Sequence, residues 1–293
     1  MNNSSEIIKR IEEINEFIRH KNIEEADKKL DSLFNDIDVV EINGHGRVYD
    51  FANELEFILF CQNMEKQVNI SWTRNFISEL YYLKAVIYFE KRMYNESIKE
   101  INNAFKWNPN SGKMYLELLE NYIRLNDFHN FEVYFNKAKE IILEPVEVSM
   151  LYRKYAYFCI EQKKHELAYN ILRYSFLIFP RKENEDEIEY LSKMVGIKLR
   201  NIPDIGVVKY IRDEGLEYEA NDKIISTYLT VIKNLEEALK KEKSKDRKLY
   251  LYEKLVHYYN NVYIFKTDKD IHEGLMSIIK EYINFRKESG ETK

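Results

Sequence analysis

Apolar and small side chains recur through the middle of the chain at steps of three and four residues, which places them on one face of a helix. Two such runs, nine residues apart with polar residues between them, predict an antiparallel pair of helices. The arrangement is repeated 34 residues later, and a third copy follows after about three extra residues around 144–147. The recurring positions are Tyr81, Ala85, Tyr88, Ser97, Ile101, Ala104 and Pro109; Tyr115, Leu119, Tyr122, Phe131, Phe135 and Ala138; and Tyr152, Ala156, Cys159, Ala168, Leu172, Ser175 and Pro180.

Small residues and prolines have fixed places in this pattern. Alanines such as Ala85 and Ala104 fall where two helix axes must approach closely, because a larger side chain there would overpack the contact by roughly 1–3 kcal/mol. A proline inside a helix costs about 3 kcal/mol, so Pro109 and Pro180 are expected just beyond the second helix of their pairs. Prolines therefore separate one repeat from the next.

The pattern resembles the tetratricopeptide repeat (TPR), a helix-pair family with a period of about 34 residues. The resemblance covers residues 78–182, in three copies, and implies an all-α helix-pair solenoid that winds as a right-handed superhelix, with extra helices at both ends. Two residues depart from the family pattern: Lys84 occupies the usual leucine place, and Phe131 occupies a place that is usually small.

Outside this window the period weakens, so we divide the chain into 1–77, 78–182 and 183–293. Residues 8–34 predict a degenerate helix pair, and 47–63 predict one apolar-periodic helix. A final pair with a longer loop is expected at 249–265 and 271–285. The stretch 183–243 does not fit the repeat, and is expected either to continue the stack or to form a small bundle, with a long helix at about 218–243.

Composition agrees with a helical protein and argues against several functions. Eight glycines and four prolines in 293 residues are few for a fold built on tight turns. A net charge of −5 gives no broad basic surface for nucleic acid. Cys61 and Cys159 are expected to be buried apolar residues. The charged N-terminus and the lack of a long apolar run predict a soluble, cytoplasmic protein.

No catalytic, metal-binding or phosphate-binding motif is recognisable, so neither enzyme activity nor a cofactor is predicted. The histidine of NGHGR, His45, is interpreted as part of a flexible link. His165 is interpreted as a solvated turn residue, and the acidic run at 183–187 as a charged helix start.

The family resemblance implies instead a concave groove lined by the first helix of each pair, at roughly places 2, 5, 9 and 12 of the repeat. These places hold an aromatic and aliphatic strip with a few charges, suited to an extended peptide or a partner helix. The residues are Tyr82, Val86, Phe89, Lys113, Leu116, Glu120, Ile123, Met150, Arg153, Tyr157 and Ile160. An alternative is that place 12 packs against the neighbouring repeat.

Chaperone-binding members of the family carry a clamp of Lys, Asn and Arg side chains for a terminal carboxylate. The corresponding places here are occupied by Tyr82, Val86, Glu117, Met150 and Lys154. Because Glu117 would repel a carboxylate, a chaperone-tail adaptor is not expected.

The sequence therefore predicts a non-catalytic protein–protein or peptide interaction module. An intracellular receptor or regulator for a small signalling peptide is an alternative within the same class. Two other hypotheses stay open: an enzyme with a site in 183–243 or at NGHGR, and self-association through the tyrosine-rich segment 250–265.

Overall fold

The computed structural model describes residues 4–37, 47–64, 70–195 and 204–289. These residues form fourteen helices and one two-stranded sheet, so the all-α prediction is confirmed. The first seven helices are α1 (Ser4–Arg19), α2 (Ile23–Asp36), α3 (Glu54–Asn63), α4 (Ile77–Glu90), α5 (Tyr94–Trp107), α6 (Gly112–Leu125) and α7 (Phe128–Ile141). The remaining helices are α8 (Pro145–Glu161), α9 (His165–Ile178), α10 (Lys182–Val195), α11 (Asp204–Asp213), α12 (Asp222–Lys241), α13 (Lys245–Phe265) and α14 (Lys269–Glu288).

The three predicted pairs are α4–α5, α6–α7 and α8–α9, stacked in chain order. The predicted small residues at their contacts are all completely buried, namely Ala85, Ala104, Ala138, Ala156 and Ala168. Pro109 and Pro180 lie just after α5 and α9, as expected, while Pro145 is the first residue of α8, where its missing N–H costs nothing. This part of the fold follows the sequence pattern closely.

The turn inside each pair repeats in detail. One of the first two residues after the first helix of each pair adopts a left-handed conformation, with φ between 55° and 61°: Arg92, Asn126 and Lys163. In each case the next residue donates its N–H back over the last turn of the helix, a Schellman-type C-cap. Lys21, between α1 and α2, has φ of 58° and the same hydrogen bonds. The turn between α1 and α2 therefore has the same geometry as the turns inside the three repeats. These two helices are the helix pair predicted for 8–34.

Both departures from the family pattern have partners that explain them. Lys84 on α4 donates to Asp27 and Asp31 of α2, at 2.6 and 2.7 Å, and so attaches the N-terminal pair to the first repeat. Phe131 on α7 is completely buried and stacks on Phe158 of α8, with ring centroids 4.4 Å apart. Its size fills a space between the second and third repeats.

The prediction of a helix over 47–63 is wrong for its first seven residues, 47–53. Residues Arg47–Tyr49 form a strand, β1, which pairs in parallel with β2 (Ile70–Trp72). Helix α3 begins only at Glu54, because the Asn53 side chain caps it by accepting from the N–H of Glu56. The apolar residues before the cap serve an aromatic cluster instead, in which Phe51 packs against Trp72.

Helices α10 and α11 continue the stack beyond the third repeat. Both pack against α9, and Val207 and Ile211 of α11 join the core of the repeats. Asn184 of α10 is buried and donates to Ser175 of α9 at 2.6 Å. Glu183 and Glu185 stand in the first turn of α10, so the predicted charged helix start is confirmed.

Helices α12, α13 and α14 form a second core, separate from that of the repeats. This core includes Leu55 and Leu59 of α3 and Leu143 from the link before α8. The Tyr228 hydroxyl donates to the Leu143 carbonyl at 2.6 Å and anchors α12 to the stack. The final pair is present as predicted, but its loop is short, with only Lys266 to Asp268 between α13 and α14. The division at 77 and 182 stays a prediction.

The two cysteines differ from each other. Cys159 is buried, and burial raises its pKa to about 12. Cys61 is exposed, contrary to the prediction, because α3 turns Leu55 and Leu59 toward the core and Cys61 away from it. In the described part of the chain, no helix has the length and apolarity needed to cross a membrane.

Candidate binding surface on the first helices of the repeats

Three ion pairs join successive first helices, and each spans 34 residues, one repeat period. Lys113 of α6 pairs with Glu79 of α4. Lys154 of α8 pairs with Glu120 of α6 at 2.5 Å. Arg153 of α8 donates its Nε to Glu187 of α10 at 2.8 Å, and a second guanidinium nitrogen pairs with the other oxygen. These side chains hold α4, α6, α8 and α10 side by side, and we call the surface they share the first-helix row.

The structure places the eleven predicted groove residues at different depths in this row. Leu116 and Ile123 are buried, with 5% and 7% of their surface exposed. Ile123, which occupies place 12, belongs to the hydrophobic core, in agreement with the alternative that this place packs against the neighbouring repeat. Tyr157 is the most open, at 37% exposed. The other eight are half-buried: Tyr82, Val86, Phe89, Lys113, Glu120, Met150, Arg153 and Ile160.

The charged members of the set are already engaged within the chain. Besides Glu79, Lys113 contacts the ring of Tyr82, with its Nζ 4.6 Å from the ring centroid. Glu120 also accepts from Arg124 at 2.7 Å. The Tyr157 hydroxyl donates to Glu187 at 2.6 Å, beside the Arg153 pair. The charged side chains of the row are therefore paired with one another within the chain.

Glu117, on α6 in the middle of the row, is a site residue that the sequence reasoning considered only as an obstacle to a carboxylate. Its Oε1 is buried and has no hydrogen-bond partner among the described residues. Burial raises the pKa of this carboxyl to about 7. The negative charges of Glu120 and Glu90 raise the pKa further, whereas the positive charge of Lys154 lowers it. The position of Glu117 in the repeat could have indicated a binding role. The sequence could not have shown that its carboxyl group lacks a partner.

A second poorly compensated carboxylate lies at one end of the row. Burial raises the pKa of Glu147, in the first turn of α8, to about 7, and the nearby carboxylates of Glu56 and Glu144 add to the effect while Lys113 opposes it. The Glu147 carboxylate lies over the start of α6, where a Cβ added to Gly112 would come within 2.3 Å of its Oε2. Glycine at this position leaves room for that carboxylate.

The sites considered for an enzyme are less well formed. His45 lies outside the described residues. His165 begins α9 at the inter-helix turn, but it is half-buried rather than solvated, and its Nδ1 is buried without a partner in the described chain. The 183–243 stretch borders a cavity of about 370 Å³ between α9, α10 and α11. The described residues contain no group of three or more His, Cys, Asp or Glu side chains placed to hold a metal ion.

Comparison with known families gives one match. Residues 78–111 match the family model described as tetratricopeptide repeat, and this segment covers α4, α5 and the turn that follows them. Compared with curated proteins and with solved structures, the chain has no significant match in either group. The matched segment coincides with the first of the three predicted repeats and supports a role in binding other proteins. The chain is an all-α helical solenoid whose residues 78–111 are similar to a tetratricopeptide repeat.

Proposed function

We propose that the protein binds a segment of another polypeptide along the first-helix row. The observation that carries this proposal is the series of ion pairs at the repeat period, Glu79–Lys113, Glu120–Lys154 and Arg153–Glu187. A surface whose side chains are already fixed loses less conformational entropy on binding, so more of the contact energy appears as affinity.

Half-buried apolar side chains lie on the same helices as these ion pairs. Val86 and Phe89 come from α4, Met150 and Ile160 from α8, and Tyr157 presents an open ring at the far end. Aromatic and aliphatic anchors of this type commonly contribute most of the affinity of an interface. Leu116 and Ile123 support the row from below and take no part in the proposed contact.

The test is selection from a displayed library of random 12-residue peptides, with the full chain as bait. A groove variant, Phe89→Ser with Tyr157→Ser, removes two anchors from the row. A matched control, Val133→Ser with Tyr250→Ser, removes an aliphatic and an aromatic side chain that are 37% and 53% exposed on α7 and α13. Leu116 is not changed, because it is buried and its loss would disturb the fold.

We expect peptides selected on the wild type to bind the control equally and to bind the groove variant at least about tenfold more weakly, a loss of roughly 1.4 kcal/mol. Circular dichroism and urea unfolding would first establish that both variants are folded. Equal binding to all three proteins would place the site elsewhere and overturn the proposal.

A further inference from the structure

A carboxyl group without a hydrogen-bond partner among the described residues lies within the first-helix row. Glu79 and Glu120 are each matched by a lysine of the next repeat. Glu117 lies between them in the chain, and its carboxyl group has neither a hydrogen bond nor an ion pair among the described residues, although its Oε1 is buried. A buried carboxylate without a partner is costly unless something else neutralises it.

The surroundings of Glu117 fit a cation better than any other ligand. Tyr82 provides an aromatic ring against which Lys113 Nζ already rests, 4.6 Å from the centroid. Burial raises the pKa of the Tyr82 hydroxyl, and the negative charges of Glu117, Glu79 and Glu147, on α6, α4 and α8, add to this effect. Aromatic faces and carboxylates together favour ammonium and guanidinium groups.

We propose that Glu117 and Tyr82 receive a lysine or arginine side chain of the bound polypeptide. This inference rests on the proposed function, since it assigns a chemical preference to one position of the same row. The proposed occupant is a basic segment, because its positive charge complements the carboxylates of Glu117, Glu79 and Glu147.

The preference should be visible in the pH dependence of binding. The groups that face Glu117 are Glu90 and Tyr82 from α4, Glu120 from its own helix and Lys154 from α8. With a pKa raised to about 7, Glu117 is partly protonated in the free protein at neutral pH. A bound cation favours the ionised form, so binding of a basic peptide should strengthen as pH rises from 6 to 8.

The experiment extends the random-peptide selection to two single variants, Glu117→Gln and Glu117→Lys. Glu132→Lys serves as the charge-matched control. Glu132 is exposed on α7, which is the second helix of its pair and not part of the first-helix row. The wild type and the control should select peptides with Lys or Arg at a common position. The Glu117→Lys variant should select Asp or Glu at that position instead, a reversal that a merely structural role for Glu117 would not produce.

One selected peptide is then synthesised with its basic residue and with norleucine in its place. The exchange should weaken binding to the wild type by about 10- to 100-fold and weaken binding to Glu117→Gln much less. If selected peptides depend on Phe89 and Tyr157 but show no basic position, or if Glu117→Lys leaves the preference unchanged, the inference is wrong while the proposed function stands. If no selected peptide depends on the groove anchors, the proposed function fails and this inference falls with it.

Discussion

The ammonium group of Lys84 lies 2.6 Å from Asp27, and this contact joins two helix pairs that the repeat pattern alone would leave unconnected. Both side chains are mostly buried, at 16% and 19% exposed. Asp31 shares the same ammonium group at 2.7 Å, and Lys91, the residue just after α4, donates to Asp27 at 2.8 Å. A residue that weakens the family pattern thus holds the N-terminal pair in place.

Replacing Lys84 with Met should therefore destabilise the protein, although it brings the position closer to the family's usual leucine. We expect a loss of about 1–3 kcal/mol in the free energy of unfolding, because Asp27 loses a charged hydrogen bond while it stays mostly buried. Urea unfolding measures the change, with Lys99→Met on the exposed face of α5 as the control. An unchanged or increased stability of Lys84→Met would contradict this role.

Phe131→Ala makes the same comparison in the core. The family pattern favours a small residue there, whereas the structure shows a completely buried ring stacked on Phe158. We expect the alanine variant to lose about 3–5 kcal/mol through the cavity it leaves. Val133→Ala, on the exposed side of the same helix, should change stability by less than about 0.5 kcal/mol. Chemical unfolding of both variants decides whether the aromatic stack is essential.

Stability should fall as pH rises toward neutrality. Burial raises the pKa of Glu147 from its usual value of 4.5 to about 7 in the folded protein. Between these values the folded state binds more protons than the unfolded state, so the free energy of unfolding decreases with pH, by at most about 1.4 kcal/mol per pH unit for one such group. Glu147→Gln should flatten the slope between pH 4.5 and 7 in urea unfolding curves. A slope that survives the substitution would assign the effect to other groups, with Glu117 as the next variant to test.

Gly112 and Glu147 should be energetically coupled. Alanine in a helix normally stabilises relative to glycine by about 1 kcal/mol, but here its Cβ would come within 2.3 Å of the Glu147 carboxylate. We expect Gly112→Ala to be less favourable in the wild type, where the Glu147 side chain must shift to make room for the Cβ, than in the Glu147→Ala variant. A double-mutant cycle of unfolding free energies measures the coupling, and additive effects would exclude the contact.

Self-association through the C-terminal helices stays a prediction. Most of the tyrosines of α13 pack within the chain, and Tyr258 is buried in the second core. The exposed large apolar side chains of α13 and α14 that a second copy could cover are Tyr250, Ile264, Met276 and Ile283. Sedimentation velocity over a hundredfold range of concentration should show a shift to a larger species that Tyr250→Ser with Met276→Ser abolishes. A single concentration-independent species would exclude this association.

The sequence predicted the repeats because their signal is local. Steps of three and four residues, alanines such as Ala85 and Ala104, and the prolines after α5 and α9 each act within one helix pair. The strand before α3 was missed because an apolar run can serve a helix or an aromatic cluster, and only a partner distant in the chain, Trp72, decides between them. The exposure of Cys61 was missed because the face of α3 that is buried depends on its contact with α12, which is distant in the chain.

The candidate surface was predictable only in part. Repeat numbering located the first-helix row, including Tyr157 and Met150, but could not distinguish the half-buried places from the buried Leu116. The ion pairs at the repeat period could have been found by comparing charges 34 residues apart. The absence of a partner for Glu117 could not, because it depends on where every neighbouring charge points.

The contact between α3 and α12 has a consequence for the order in which the protein folds. Lys223 donates to Asn63 at 2.8 Å, although 160 residues separate them in the chain. Repeats of neighbouring helices have low contact order and assemble rapidly from local encounters. Closing so long a loop costs entropy that is recovered only once both partners are in place. Docking of the C-terminal helices onto α3 should therefore be the late kinetic phase of refolding, after the repeats have formed.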